Sequence, residues 1–261
     1  MKRNLILTVV CTLCIGFVAC DKSTKKENEQ AEKDTKSVGL HNSKAQGISD
    51  DGCAQMFAVL VKEETKNLKS GGIDTVIISG SSFPRTITIK FDGTPDILGI
   101  VRTGSITGVL SNHIYLPNAQ LTVDYTNYVV NGVQFKGTQY ITNKSTIISP
   151  TSIQFDVIVS NAAIVVDGET STWSGNHKWE WTPVETKSTG TTSGINETGI
   201  PYSTKTLTPL VQKAGCPLVS SGIIEITSGI YTSTIDFGDG TCDDIATFTF
   251  NGHSTEISFF Y

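Results

Sequence analysis

The chain has 261 residues, a formal charge of -5, 38% apolar and 8% aromatic residues, and a charged fraction of only 17%. Ser and Thr supply 60 residues and Gly 24, so polarity is carried by hydroxyls and turns, which favours strands over helices. That balance excludes a coiled coil, a helical solenoid and a basic nucleic-acid binder, which need heptads, helical repeats or a Lys/Arg excess.

At the N-terminus, Lys2 and Arg3 precede an apolar stretch from Leu5 to Val18. It is too short to span a bilayer as a helix of about 20 residues, and it predicts a signal peptide. Of the three cysteines there, Cys11, Cys14 and Cys20, only Cys20 follows a small residue, in the run Phe17-Val18-Ala19-Cys20. This run resembles the lipobox of bacterial lipoproteins, although Phe17 stands where leucine is commoner. The resemblance implies cleavage before Cys20 and acylation of its thiol. Two or more acyl chains, at about 0.8 kcal/mol per buried methylene, give stable attachment where one gives reversible binding.

Residues 20–48 are rich in Lys and Glu and nearly lack large apolar side chains. They predict a disordered, lipid-anchored tether reaching about 30 Å, since such a segment buries too little surface to offset its ordering entropy. A short helix is expected from Ser49 to Leu68. Ser49 or Asp50 would cap it, Asp51 would lie in its first turn, Cys53, Phe57, Leu60 and Val61 recur at helical spacing, and Gly71-Gly72 would end it. Cys53 on that stripe reads as a small buried apolar residue.

Beyond Gly72 the pattern is strand and turn. Candidate strands are 75–78, 85–91, 121–130, 134–142, 153–159, 163–166, 177–181, 223–226, 232–237, 246–250 and 256–260. The dipeptides Asp92-Gly93, Asn131-Gly132, Asp167-Gly168, Asp239-Gly240 and Asn251-Gly252 favour tight hairpins with positive φ. The predicted class is all-β: an antiparallel β-sandwich or curled sheets with one short N-terminal helix. A weak repeat, Thr86 to Thr94 against Thr232 to Thr241, adds the alternative of two related subdomains. The expected divisions are 1–19 signal peptide, 20–48 tether, 49–184 helix and first β-subdomain, 185–198 a Ser/Thr/Gly-rich linker, and 199–261 second β-subdomain.

Three segments, Ser82 to Phe91, Gly99 to Ile106 and Asn127 to Thr138, together with Cys216-Pro217, Ser221-Gly222 and Ile235 to Asp243, resemble an uncharacterised β-rich lipoprotein family of the Bacteroidetes. The resemblance covers most of the chain after Ser49. It implies a lipid-anchored envelope protein, expected at the outer membrane on its periplasmic or surface face, and supplies no activity. Where that family often carries a cysteine, in the turn after its first strand, this chain reads Asp92-Gly93-Thr94-Pro95-Asp96. With Cys20 acylated and Cys53 isolated on the helix, Cys216 and Cys242 become the natural disulfide pair, closing a loop of about 26 residues. Two reduced, buried cysteines are the alternative.

Two clusters invite functional readings. Asp236, Asp239, Asp243 and Asp244 crowd a Gly-rich turn, as weak candidates for a Ca²⁺ site, although their spacing is not that of an EF-hand and Asp-Gly turns arise for conformational reasons. Trp173, Trp179 and Trp181, with His177, form the densest aromatic group, a candidate platform for a glycan or peptide. Alternation with Lys178 and Glu180 equally describes a half-buried strand whose aromatic face is core. No HExxH, GxSxG, phosphate-binding loop or dinucleotide fingerprint occurs, and no catalytic residue or cofactor is expected. The sequence therefore predicts a non-catalytic lipoprotein with a structural or interaction role, held to the membrane through Cys20, with a glycan or envelope protein as partner and no nucleic acid. The alternatives are a glycan- or peptide-binding module and a hydrolase whose carboxylates meet only in space.

Overall fold

The computed structural model describes residues 16–63, 72–149 and 151–259, with backbone alone at 16–24 and 61–63. The signal stretch up to residue 15, Cys11 and Cys14, the side chain of Cys20, and the expected helix end at Leu68 and Gly71 lie outside the described residues. One helix, α1 (Gly16–Glu63), precedes thirteen strands: β1 (Ile73–Ser79), β2 (Arg85–Asp92), β3 (Arg102–Leu110), β4 (Gln120–Val130), β5 (Val133–Asn143), β6 (Ile153–Val166), β7 (Glu169–Trp181), β8 (Glu185–Ile195), β9 (Pro201–Lys213), β10 (Ser221–Ser228), β11 (Tyr231–Asp239), β12 (Ile245–Phe250) and β13 (His253–Ser258). They form one antiparallel sheet in strict chain order, with β1 and β13 as its two edges. Among the described residues, the all-β antiparallel class with one helix near the N-terminus is thus the observed one.

Turn chemistry explains the meander. Asn131-Gly132, Asp167-Gly168 and Asn251-Gly252 are two-residue hairpins with φ of 47° and 86°, 51° and 86°, and 48° and 78°. Positive φ at both central residues is the type I′ condition that matches strand twist. Asp92-Gly93 and Asp239-Gly240 instead open longer connections. The two candidate strands 153–159 and 163–166 are one strand, β6, interrupted by a bulge at Asn161, whose φ is 53°.

The sheet curls around the helix. At about 4.8 Å per strand spacing, β3 and β11 would lie about 38 Å apart if flat, whereas a helix is only about 10–12 Å across. Yet both meet α1: a Cβ on Gly39 would lie 2.8 Å from Ile226 Cδ1 of β10 and 2.9 Å from Ile235 Cδ1 of β11, while Met56 Cε would lie 2.8 Å from a Cβ on Gly108 of β3. Burial along α1 follows a three-to-four residue rhythm at Ala31, Thr35, Val38, Asn42, Ala45, Ser49, Gly52, Met56 and Val59. Strand residues such as Ile87, Ile106, Leu121, Val157, Ile226 and Phe248, all fully buried, complete a single core.

Three expectations differ from this architecture. Residues 25–48, expected to be a tether, belong to α1 and are largely buried from Ala31 onward; accordingly Ser49, Asp50 and Asp51 sit inside the helix rather than at its start. Segment 185–198, expected to be a linker, contains β8, which pairs with β7 and β9. The sheet is therefore continuous across the expected subdomain boundary. The repeated Thr/Ile segments are β2 and β11, near its opposite edges.

Candidate functional site

A layer of polar side chains joins α1 to the sheet. Arg102 of β3, buried, donates from Nη2 to Asp51 Oδ1 at 2.5 Å, from Nε to Asp51 Oδ2 at 2.8 Å and from Nη1 to Asp96 Oδ2 at 2.6 Å. Burial alone would lower the Arg102 pKa, but the two carboxylates outweigh it and hold the guanidinium charged. Burial likewise opposes ionisation of Asp96, and the Arg102 hydrogen bond with the Ile100 and Leu98 amides still brings its carboxyl below the usual range. Gln139 of β5 donates to Ser49 Oγ at 2.6 Å and accepts from Tyr125 OH and from Cys53 Sγ, the latter at 2.9 Å. Further along, Trp173 Nε1 donates to Asn42 Oδ1 at 3.0 Å, and the same oxygen accepts from Thr192 at 2.5 Å. These bonds satisfy groups that would otherwise cost about 1–3 kcal/mol each when buried.

Beside this layer lies a partly enclosed cavity of about 370 Å³. Register defines its sheet wall. Phe155, Trp179, Ser188 and Leu210 form one cross-strand row over β6, β7, β8 and β9, and Ile153, Trp181, Thr186 and Gln212 form the next row on the same face. The helix supplies the opposite wall at Asp50, Cys53, Ala54, Phe57 and Ala58, one face of α1 by their spacing. Cys53, Ala54 and Ala58 are small, and that is why space remains between helix and sheet. Phe57 closes one side against Phe155, ring centroids 5.4 Å apart.

The cavity is apolar with few polar groups. Asp50 retains accessible surface where it borders this cavity and a smaller neighbour, yet protein surrounds it closely enough that burial pushes its carboxyl up to about 7. Gln46 Nε2 donates to both its oxygens, at 3.0 and 2.9 Å, and Asp51 next to it adds repulsion. Burial also raises the Cys53 thiol well above its ordinary value, with Asp50 contributing, so this thiol stays protonated and unreactive. Trp179 Nε1–H is buried with no hydrogen-bond partner.

The sequence-predicted residues are distributed unevenly around this site. Trp179 and Trp181 line the cavity, whereas Trp173 is 1% exposed, in the core, stacked on His177 with centroids 6.1 Å apart. Cys216 and Cys242 form a disulfide. It ties the β9–β10 connection, which carries the lining residue Val219, to the β11–β12 connection. The four aspartates are occupied locally: Asp236 accepts from the Gly238 amide, Asp239 from Thr241, Asp243 from the Ile245 amide and Asp244 from Ser258 Oγ. Among the described residues, no group of three His, Cys, Asp or Glu side chains is placed to hold a metal ion.

His41 lies near Ser171 and Glu197, a set suggestive of nucleophilic catalysis. Its geometry does not fit. A catalytic histidine engages nucleophile and orienting acid through opposite ring nitrogens. Here Nδ1 faces both Ser171 Oγ, at 3.2 Å, and Glu197 Oε2, at 3.7 Å, while Nε2 lies 3.4 Å from the Thr172 carbonyl oxygen. Nor, among the described residues, do two carboxylates share the cavity lining: Asp50 is the one carboxyl there, and Asp51 and Asp96 are both bound to Arg102. Asp50 and the small helix residues were not legible as site residues, because the wall opposite them is assembled from strands at least 95 positions away in sequence.

Compared with protein-family models, curated proteins and solved structures, the chain matches none.

Proposed function

We propose that this protein is a lipid-anchored envelope lipoprotein whose curled sheet and helix together hold a small apolar ligand. The observation that carries the binding reading is the cavity: about 370 Å³, walled by Phe57, Phe155, Trp179, Trp181 and Leu210, with few polar groups. Cavities of about 300–1,000 Å³ with apolar walls and a few convergent polar groups are what small-molecule sites look like. The anchor reading is supported by Lys2-Arg3, the apolar stretch and Val18-Ala19-Cys20, and by the resemblance to Bacteroidetes lipoproteins. Among the described residues no helix is long and apolar enough to cross a membrane.

Titration with the neutral apolar fluorophore N-phenyl-1-naphthylamine tests the cavity. Saturable binding to the wild type is expected, weakened at least tenfold by Ala54→Leu combined with Ala58→Leu, with an unchanged melting temperature. Equal binding by both proteins would refute this site. For the anchor, palmitate labelling is expected in the wild type and lost in Cys20→Ala.

A further inference from the structure

We infer that the ligand of this cavity is an apolar amine, whose ammonium pairs with Asp50 and whose body lies between the aromatic walls. The inference rests on the cavity reading above and adds the ligand's charge. Among the described residues, the lining contains one ionisable group able to carry a charge at neutral pH, Asp50, and no Lys or Arg. Both other acidic side chains of the adjoining network already have a cation, since Asp51 and Asp96 bond to Arg102. Asp50 has none among the described residues. A carboxylate offers about four lone-pair sites, and Gln46 Nε2 is its hydrogen-bond donor here, so Asp50 keeps acceptor capacity beside the cavity it lines.

The walls suit the same charge. Trp179, Trp181, Phe57 and Phe155 surround the space with aromatic rings, whose faces attract cations by about 0.5–2 kcal/mol each. An anionic ligand such as a fatty acid would meet a carboxylate and no counter-charge, which costs affinity in a desolvated site. A neutral ligand would leave Asp50 with Gln46 as its donor and no counter-charge.

Groups facing Asp50 come from three elements. On α1 they are Gln46, Asp51 and Cys53, and Lys44 lines the smaller cavity on the other side without forming an ion pair to Asp50. From β4 comes Tyr125, whose hydroxyl burial keeps protonated, and from β9 the neutral Gln212. Asp50 changes charge between pH 5.5 and 8, its carboxyl being pushed up by burial to about 7. Amine binding should therefore strengthen as pH rises through about 7.

The test compares three probes of equal shape on the purified full chain by tryptophan fluorescence: 1-naphthylmethylamine, 1-naphthylmethanol and 1-naphthoate. At pH 8 the amine is expected to bind at least tenfold more tightly than the alcohol, and the carboxylate weakest. At pH 5.5 the amine's advantage is expected to shrink below threefold. Asp50→Asn should remove that advantage at pH 8. Alcohol and amine binding equally at both pH values would overturn the inference while leaving the cavity reading standing, as would tighter binding of the carboxylate. Binding of none of the three would overturn both. The wild-type pH comparison decides even where the Asp50→Asn variant fails to fold.

Discussion

Two buried residues give the molecule opposite pH responses. Asp50 titrates near 7 in the folded chain and near 3.8 when unfolded, so its contribution to stability is complete below about 3.8 and is lost as pH rises through about 7. Asp50→Asn should be more stable than the wild type at pH 8 by about 1–2 kcal/mol, less than the full shift because the cavity admits water, and the gap should close below pH 4. His177 works the other way. Burial lowers it from 6.5 to about 4, and its Nε2 has no partner, so stability present above about 6.5 is lost as pH falls towards 4. In chemical denaturation from pH 7 to pH 4, His177→Phe should remove a loss of up to about 3 kcal/mol. The space for this ring is created by glycines: a Cβ on Gly175 would lie 2.4 Å from His177 Nε2, and one on Gly190 would lie 2.9 Å from His177 Nδ1 and 2.2 Å from Asn176 O. Gly190→Ala should accordingly lower stability by about 1–3 kcal/mol. The alternation of His177, Trp179 and Trp181 was legible in the sequence because a strand has period two. That Trp173 belongs to the core while Trp179 and Trp181 border a cavity was not, because the difference lies on the helix, where Asn42 meets one indole and alanines leave room near the others.

At the scale of elements, α1 is the part least visible beforehand. Its buried stripe consists largely of Ala, Thr, Asn, Ser and Gly, which carry little hydrophobic signal, so composition described a tether. The helix is stabilised by tertiary contact with the surrounding sheet, which the local sequence cannot show. Limited trypsin digestion distinguishes the two: a tether would be cut throughout, Lys36 and Lys44 included, whereas α1 packed within the sheet protects those two half-buried lysines. Strands β8 and β9 were missed for a related reason. In β8 the inward positions Ser188, Gly190, Thr192 and Gly194 are small because His177 and Tyr202 lie over its glycines, so the strand shows no apolar alternation. Strand β3, with Gly104 and Gly108, is similar: Gly108 gives way to Met56. The Asn-Gly and Asp-Gly hairpins, by contrast, were readable because their backbone requirement is local. Replacing Cys216 and Cys242 by serine should lower stability by roughly 3 kcal/mol, the value for a closed loop of this size.

For the whole molecule, the proposed anchor and the cavity lie at different distances along one rod. From Cys20 to Ala31, where burial begins, α1 rises about 16 Å, and from Cys20 to Ala54 about 50 Å. The proposed lipid is thus remote from the cavity along α1. Cys20→Ala should then leave N-phenyl-1-naphthylamine affinity unchanged.

The central claim, that α1 and β6–β9 enclose a ligand site, is tested most directly by fluorine NMR. The chain has three tryptophans, so 5-fluorotryptophan labelling gives three resonances, assigned by single substitutions. On titration with N-phenyl-1-naphthylamine, the Trp179 and Trp181 signals should shift together with one binding constant while Trp173, held in the core by Asn42, stays in place. A saturable shift at Trp173 alone, or no shift at any of the three, would contradict the account.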